Sequence, residues 1–306
     1  MAYMFVIKYK KIWYALSVLL LAASVWAMFT YGFNLSIDFK GGTITEARYD
    51  VRPDKSLIES NIEALDIGGF SVRPSDTNNY VIRTKELNEE ERVRLSSALQ
   101  ADAIERQNTI GQVAGAELRT KAIKPVLVVV FMIMIFITFA FRKVSTGVSR
   151  GGRGVASWKY GLATVIALAH DVVIPTGIFV FLGYFYGIEI DLLFVSGLLA
   201  ILGYSVHDSI VVFDRVRENL RIDAEEKDQE EFETIVGKSV SQTFARSINT
   251  SVTIFITLLA LYLFGPAATE HFALLLIVGV IIGTYSSIFV ASPLLVTFYK
   301  LQKGSK

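Results

Sequence analysis

Two carboxylates stand where acids are least welcome. Asp208 lies in the run Gly203-Tyr204-Ser205-Val206-His207-Asp208-Ser209, within an apolar stretch that closes in the charged Asp214-Arg215-Val216-Arg217-Glu218. A charged side chain at bilayer depth costs about 2.5–3.5 kcal/mol on insertion scales, so such a residue sits inside a bundle, paired or titrating. The chemistry this suggests is proton transfer: a carboxyl wetted alternately from two sides by a conformational change takes up and releases a proton. The competing reading is structural, an acid hydrogen-bonded to a neighbouring helix that never titrates. Asp171, beside His170, is the second relay candidate. It falls about eleven residues into another apolar stretch, close to the bilayer midplane at a rise of about 1.5 Å per residue. Ser205, three residues before Asp208, shares its helical face, whereas Ser209 does not. Gly197, Ala200, Tyr204, Ser205 and Asp208 outline a small, polar seam suited to close helix packing.

Arg246 is the third relay candidate, set among Ser241, Thr243, Ser247, Asn249, Thr250 and Ser251 at the start of a later apolar stretch. It is either the counter-ion of a buried carboxylate or an interface anchor. Asp214 and Arg215 read as a solvated helix end. His170 either assists Asp171 or bonds a helix neighbour, and His207 is either a pH-sensitive neighbour of Asp208 or a neutral imidazole facing lipid or a helix. Gly41-Gly42 after Asp38-Phe39-Lys40 lacks both the full glycine pattern and the following helix of a phosphate-cradling loop, so no nucleotide site is expected. No paired-carboxylate, Ser-His-Asp or metal-spaced cluster calls for an enzyme. The expectation is therefore no catalytic residue, no metal and no cofactor, with protons as the coupling ion. The chain has no cysteine and three histidines, which removes disulfides and thiolate chemistry. Its 30 basic and 29 acidic residues nearly cancel, so net charge dictates no partner; no nucleic-acid partner is expected.

These residues need helices to hold them, and the composition, 52% hydrophobic, supplies them. Apolar runs long enough to cross about 30 Å of hydrocarbon fall near 12–31, 124–141, 160–184, 190–213, 245–264 and 271–299. Lys8, Lys10 and Lys11 before the first run resemble a signal peptide, but the long apolar core and the lack of a clean cleavage site favour a retained anchor. Arg142, Lys143, Arg150, Arg153 and Lys159, then Arg215, Arg217 and Arg221, then Lys300, Lys303 and Lys306 mark the inner side. The short turns at 186–191 and 265–270 carry acids and no Lys or Arg, as outer turns should. Residues 1–31 are then a cytoplasmic N-terminus and first span, and 32–123 form an extracytoplasmic domain. Residues 124–306 carry spans two to six, with cytoplasmic loops near 142–159 and 215–244 and a cytoplasmic C-terminus. The glycines among the basic residues at 150–154 sit in a loop that binds anionic lipid or simply enforces topology, and the charge run at 223–233 reads as solvated. Within the domain, strand-like alternation follows the glycine pair, 56–65 reads as a helix, and 70–73 and 80–84 read as strands. Asn88 before Glu89-Glu90-Glu91 starts a second helix. The order β, α, β, β, α suggests a small α+β, ferredoxin-like sheet with helices on one face, and 111–123 lead back to the membrane.

Together, several motifs carry a resemblance. They are Asp38-Phe39-Lys40-Gly41-Gly42-Thr43, Gly115-Ala116-Glu117-Leu118, His170-Asp171, the run from Gly203 through Arg215 to Asn219, Arg246-Ser247-Ile248-Asn249-Thr250-Ser251, and Gly283-Thr284-Tyr285-Ser286-Ser287-Ile288-Phe289-Val290-Ala291-Ser292-Pro293. In this order, over nearly the whole chain, they resemble the SecF family, partner of SecD in the bacterial accessory complex for protein export and relative of resistance-nodulation-division transporters. The resemblance implies an inner-membrane subunit that pairs with SecD in a pseudo-symmetric twelve-helix unit and uses the proton-motive force to promote late steps of export. It implies SecYEG, YajC, exported preproteins and membrane lipids as neighbours, and a coupling role for Arg246. Relatives often carry an acid directly before the Phe-Ala pair. Here His271 holds that place, with Glu270 one residue displaced, so Glu270 is either that outer acid or part of a simple exposed turn. The competing class is a proton-coupled small-molecule or lipid exporter of the same superfamily; a third is a scaffold whose acids only pack helices.

Overall fold

The computed structural model describes residues 4–75, 78–142, 155–226 and 230–304. The order begins α1 (Met4–Lys8), α2 (Lys10–Tyr31), α3 (Ile37–Lys40), β1 (Gly42–Arg48), α4 (Lys55–Glu63), β2 (Phe70–Ser75), β3 (Asn79–Thr84), α5 (Glu89–Leu99) and β4 (Ala103–Ile110). It continues with α6 (Gln112–Ala140), α7 (Ser157–Tyr186), α8 (Leu192–Glu226), α9 (Phe232–Phe264), α10 (Ala267–Ser286), a π turn (Ser287–Ala291) and α11 (Ser292–Gly304). Among the described residues six helices are long and apolar enough to cross a membrane: α2, α6, α7, α8, α9 and the composite Thr269–Gln302. The basic residues Lys143, Arg150, Arg153 and Lys306, the glycines at 151–154, and positions 227–229 of the charge run lie outside the described residues.

Two compact units emerge. One holds the spans, Met1–Phe33, Pro125–Ile188 and Leu193–Lys306; the other is Asn34–Lys124 together with Glu189–Leu192. The expected boundary at 32–123 therefore gains a piece, because the turn before α8 belongs with the sheet. The expected loop at 215–244 is also corrected. Helix α8 runs on to Glu226 and α9 begins at Phe232. Pairs one turn apart extend α8 beyond its apolar part: Asp214–Arg217 at 2.6 Å, Arg215–Glu218 at 2.6 Å and Arg221–Glu225 at 3.7 Å. Arg215 Nε donates to Gln242 at 2.6 Å and Asn219 to Ser239 at 2.8 Å, which zips α8 to α9.

In the span unit, glycines set the close approaches. A Cβ on Gly279 would stand 2.2 Å from Ile201 Cδ1, and one on Gly177 2.3 Å from Ser24 Cβ. Phe141, Tyr160 and Phe213 pack as one buried aromatic cluster, with the Phe141 and Tyr160 rings stacked at 5.1 Å. Glu233 at the start of α9 pairs with both Lys10 at 3.2 Å and Lys300 at 2.8 Å, tying the ends of three helices together.

The second unit is a four-stranded antiparallel sheet in the order β2-β3-β1-β4, the split βαβ arrangement of a ferredoxin-like fold. Its core joins Ala47, Val72, Tyr80 and Ile82 of the sheet to Ile58 and Ile62 of α4 and Leu95 and Leu99 of α5. Each such fully buried aliphatic side chain contributes about 1.5–3 kcal/mol. The Asn88 cap is a full capping box: its Oδ1 accepts from Glu91 N–H at 2.9 Å and Glu91 Oε2 accepts from Asn88 N–H at 2.9 Å. That backbone donor holds the Glu91 carboxyl below its usual range. Tyr49 donates to Leu99 O at 3.0 Å, and burial pushes its phenol up to about 12.

The glycine pair has a steric purpose. Gly41 has φ +78° and a Cβ there would lie 2.7 Å from Gln112 Cα, while a Cβ on Gly115 would lie 2.7 Å from Gly41 N. The start of α6 thus rests on the bare main chain after α3, which links the Asp38-to-Thr43 motif to Gly115-Ala116-Glu117-Leu118. Strand β4 is absent from the sequence reading because it is an edge strand whose centre, Glu105-Arg106-Gln107-Asn108, is polar. From Gln112, the residues before the second span are already one helix with it.

Candidate functional site

Four helices of the span unit enclose a polar seam. Asp171 on α7 is fully buried and met from three sides. Ser205 of α8 and Ser286 of α10 both donate to its Oδ2, the latter at 2.7 Å, and His170 Nδ1 stands 2.9 Å from Oδ1. Asp208 on α8 is 6% exposed and its Oδ1 accepts from Ser247 Oγ of α9 at 2.5 Å. Its Oδ2 is buried without an aligned donor, although Ser287 faces the same carboxyl. Ser287 Oγ in turn pairs with Ser209 Oγ at 3.0 Å and donates to Ser205 O at 3.3 Å. One turn along, Tyr204 OH, Ser251 Oγ and Thr284 Oγ1 form a closed triangle with sides of 2.6, 2.6 and 3.2 Å. Tyr285 extends the seam to α2, donating to Trp13 O at 2.9 Å and stacking on the His170 ring at 5.8 Å.

The backbone is loosened at the same level. Pro175 inside α7 has no N–H, so the carbonyl of Asp171, four residues earlier, lacks its helical donor. The sixth span opens into a π turn over Ser287–Ala291, a feature frequent at functional sites. Each interhelical hydrogen bond of this kind is worth about 0.6 kcal/mol in a membrane. The seam therefore holds the helices in register without locking them. Its hydroxyls both donate and accept, so each carboxyl, met by its own serines from neighbouring helices, can change partners as a proton comes and goes. Among the described residues no group of three or more His, Asp or Glu is placed to hold a metal.

A family model described as "Protein export membrane protein SecD/SecF, C-terminal" matches residues 155–301, and one described as "SecD/SecF GG Motif" matches residues 26–51. The protein translocase subunit SecF of Thermobaculum terrenum is 36% identical over 312 residues, covering 96% of this chain and 93% of that protein. The chain belongs to the SecF family. The corresponding subunit of Haemophilus influenzae is 33% identical, with 93% of this chain and 82% of that protein covered. The SecDF crystal structure from Thermus thermophilus, described as a translocon-associated membrane protein, superposes with a TM-score of 0.79 at 32% identity. It covers 98% of this chain, which spans 39% of that longer one. As a SecF-family chain with six apolar spans, this is a multi-pass membrane protein.

Of the residues singled out from this SecF-type sequence, Asp171 and Asp208 lie in one seam without a direct bond; Ser205 and Ser286 hold the first and Ser247 the second. Arg246 is exposed, and among the described residues no ion pair joins it to Asp208; its neighbour Ser247 makes the contact. His170 bonds Asp171, whereas His207 is exposed. Ser209 is as buried as Ser205, and Ser205 reaches Asp171 instead of Asp208. Gly197 packs against Leu275, but Ala200 is exposed and off the seam. Gly203 is exposed with open space beside it, Glu270 is exposed in the first turn of α10, and Asp214 and Arg215 hold the polar end of α8. Asp38, Gly41 and Gly42 shape the α+β unit. Sequence reasoning gave no role to Ser247, Ser286, Ser287 or Pro175. The available signal was a proline four residues after a buried acid and three serines bracketing a helix at 286–292.

Proposed function

We propose that this chain is a SecF-type accessory subunit of the Sec protein translocase, and that with SecD it uses the proton-motive force to promote late steps of protein export. The observation that carries the reading is Asp208, buried among four helices with one bonded and one unbonded oxygen, beside a π turn. Protonation changes which partners its carboxyl can hold, and a proton bound differently in two packings of the bundle shifts their balance. Asp171 is its companion in the same seam, and Arg246 is the cation that its charge answers to as the bundle moves. The distribution of basic residues supports cytoplasmic termini and an α+β unit outside the inner membrane. SecD completes a twelve-helix unit, with SecYEG, YajC, anionic lipid and the emerging preprotein as neighbours. Neither a metal nor a catalytic residue takes part.

The test is proton movement in liposomes carrying this chain with its SecD partner, followed with an entrapped pH dye. The wild type is expected to pass protons and Asp208→Asn to lose most of that flux; equal flux would overturn the reading. Growth of a deletion strain on toxic compounds separates the exporter class, which alone predicts new sensitivity with export of precursors unimpaired.

A further inference from the structure

Tyr160, in the first turn of α7, carries a hydroxyl that its packing does not need. The residue is fully buried, and its hydroxyl oxygen has no hydrogen-bond partner among the described residues. Its ring stacks on Phe141 at 5.1 Å and meets Phe213 edge-on at 5.4 Å. Phenylalanine would fill that place as well, whereas a buried polar group left unpaired is costly and calls for an explanation. Position supplies one. Tyr160, Thr164, Ala167 and Asp171 follow at spacings of four, three and four residues along one face of α7, and all four are fully buried. The helix rises about 16 Å between Asp171 and Tyr160. Part-way along, Thr164 Oγ1 donates to Tyr160 O at 3.0 Å while its oxygen stays able to accept. On α8, Ser209, Phe213 and Arg217 repeat every four residues. The first pairs with Ser287 in the seam and the second packs on Tyr160; the third, bonded to Asp214 at 2.6 Å, stands 6.0 Å over the Phe141 ring. Tyr160 thus lies between the carboxyl seam and the charged end of α8, in an apolar layer that Val212, Val216, Val240 and Leu295 continue.

We propose that Tyr160 is the inner gate of the proton path: its hydroxyl draws water into the apolar layer when the bundle loosens, and passes the proton between the seam and the charged end of α8. This rests on the proton-coupled reading above. A dry apolar layer stops a proton because nothing there solvates its charge, and apolar constrictions open and close by wetting. Water enters such a layer only where polar partners hold it, and the hydroxyls of Tyr160 and Thr164 are the partners this face offers. The transfer balances at the phenol. Its oxygen takes a proton from water on one side as its own O–H proton leaves to water on the other, so the side chain ends neutral and no phenolate forms. With the helices closed, the surrounding rings and branched side chains leave no standing leak.

Tyr160→Phe removes one oxygen and keeps the ring. In liposomes carrying the full chain with its SecD partner and an entrapped pH dye, it is expected to lower proton flux at least threefold at equal abundance. Thermal unfolding of the same preparation is expected to show stability equal to or above wild type, because a stranded hydroxyl is gone. A residue that only fills space predicts the same stability with unchanged flux, and that result overturns the gate. A Tyr160→Phe protein less stable than wild type overturns it too, since the hydroxyl would then have a structural partner. Asp208→Asn run in parallel keeps the two ideas apart. Full flux in that variant overturns the proton reading and the gate with it, whereas flux lost in Asp208→Asn but kept in Tyr160→Phe overturns the gate alone.

Discussion

Gly279 is where the seam's geometry is most exposed to a single methyl group. A Cβ there would stand 2.2 Å from both Cδ1 and Cγ1 of Ile201, which is 1% exposed and has no room to swing away. Ordinary carbon contact needs about 3.5–4.0 Å, so Gly279→Ala must part α8 from α10 by more than about 1 Å or force Ile201 off its rotamer. Overpacking of this kind costs about 1–3 kcal/mol. The same separation lengthens the 3.2 Å contact between Tyr204 and Thr284 and the 3.0 Å contact between Ser209 and Ser287, each worth about 0.6 kcal/mol. The expected total is about 2–4 kcal/mol. Gly203→Ala is the matched control: nothing lies within 4 Å of its Cβ, so in the isolated subunit it should be neutral or stabilising by about 0.5–1 kcal/mol. Ile201→Ala removes the clashing atoms, so it should be less harmful beside Ala at 279 than alone, with a coupling of at least about 1 kcal/mol. The assay is reversible unfolding of the purified subunit in mixed micelles, with translocation measured on the same variants. The reasoning is refuted if Gly279→Ala and Gly203→Ala shift stability alike, or if the Ile201→Ala and Gly279→Ala effects simply add.

Asn88→Ala should cost the α5 helix about 1 kcal/mol, read as roughly fivefold faster amide exchange in Glu89–Leu99 of the intact protein; unchanged exchange would contradict the capping box. Glu91 sits below its usual carboxylate range in the fold, so its contribution is present above the unfolded pKa and is lost as pH falls through the folded one. Protection of α5, corrected for intrinsic rates, should therefore drop on acidification below about pH 4 in wild type and less so in Glu91→Gln. Asp171→Leu strands the hydroxyl of Ser205, leaves Ser286 only its Gly283 carbonyl, and should destabilise the subunit by about 1–3 kcal/mol, whereas Asp171→Asn, which still offers an acceptor, should cost less than half of that. Gly41→Ala combines a φ of +78° with a 2.7 Å approach to Gln112 Cα and should lower the amount of folded protein in membranes severalfold, while Gly69→Ala, with open space and an ordinary φ, should not.

The spans were legible because burial in hydrocarbon demands uninterrupted apolar runs, and each of the six runs coincides, to within two residues, with part of a membrane-length helix. What extended those helices was invisible to hydropathy. The polar end of α8 is held by Asp214–Arg217 and Arg215–Glu218, whose partners are known only once the residues are helical. Asn88 followed by three glutamates announced α5, since capping is local chemistry; β4 escaped because an edge strand with one side paired tolerates Glu105 to Asn108. At the seam, Asp208 and Asp171 stood out by the expense of placing acids in lipid. Their partners did not, because serine is ordinary in any membrane helix and only packing shows that Ser205 serves Asp171 while Ser247 serves Asp208. The bond that Leu192 N–H donates to Asp38 was beyond reach for the same reason, as it depends on where the turn before α8 comes to rest.

The central claim is that Asp208 is the coupling carboxyl. It is met most directly by precursor translocation into inverted membrane vesicles carrying wild type, Asp208→Asn or Asp208→Glu at equal abundance with the SecD partner, with and without a proton gradient. The account predicts that Asp208→Asn loses the gradient-dependent part and keeps the rest, while Asp208→Glu, which retains a titratable group, recovers a measurable share. Translocation by Asp208→Asn that responds to the gradient like wild type would contradict it and leave Asp208 as a packing acid.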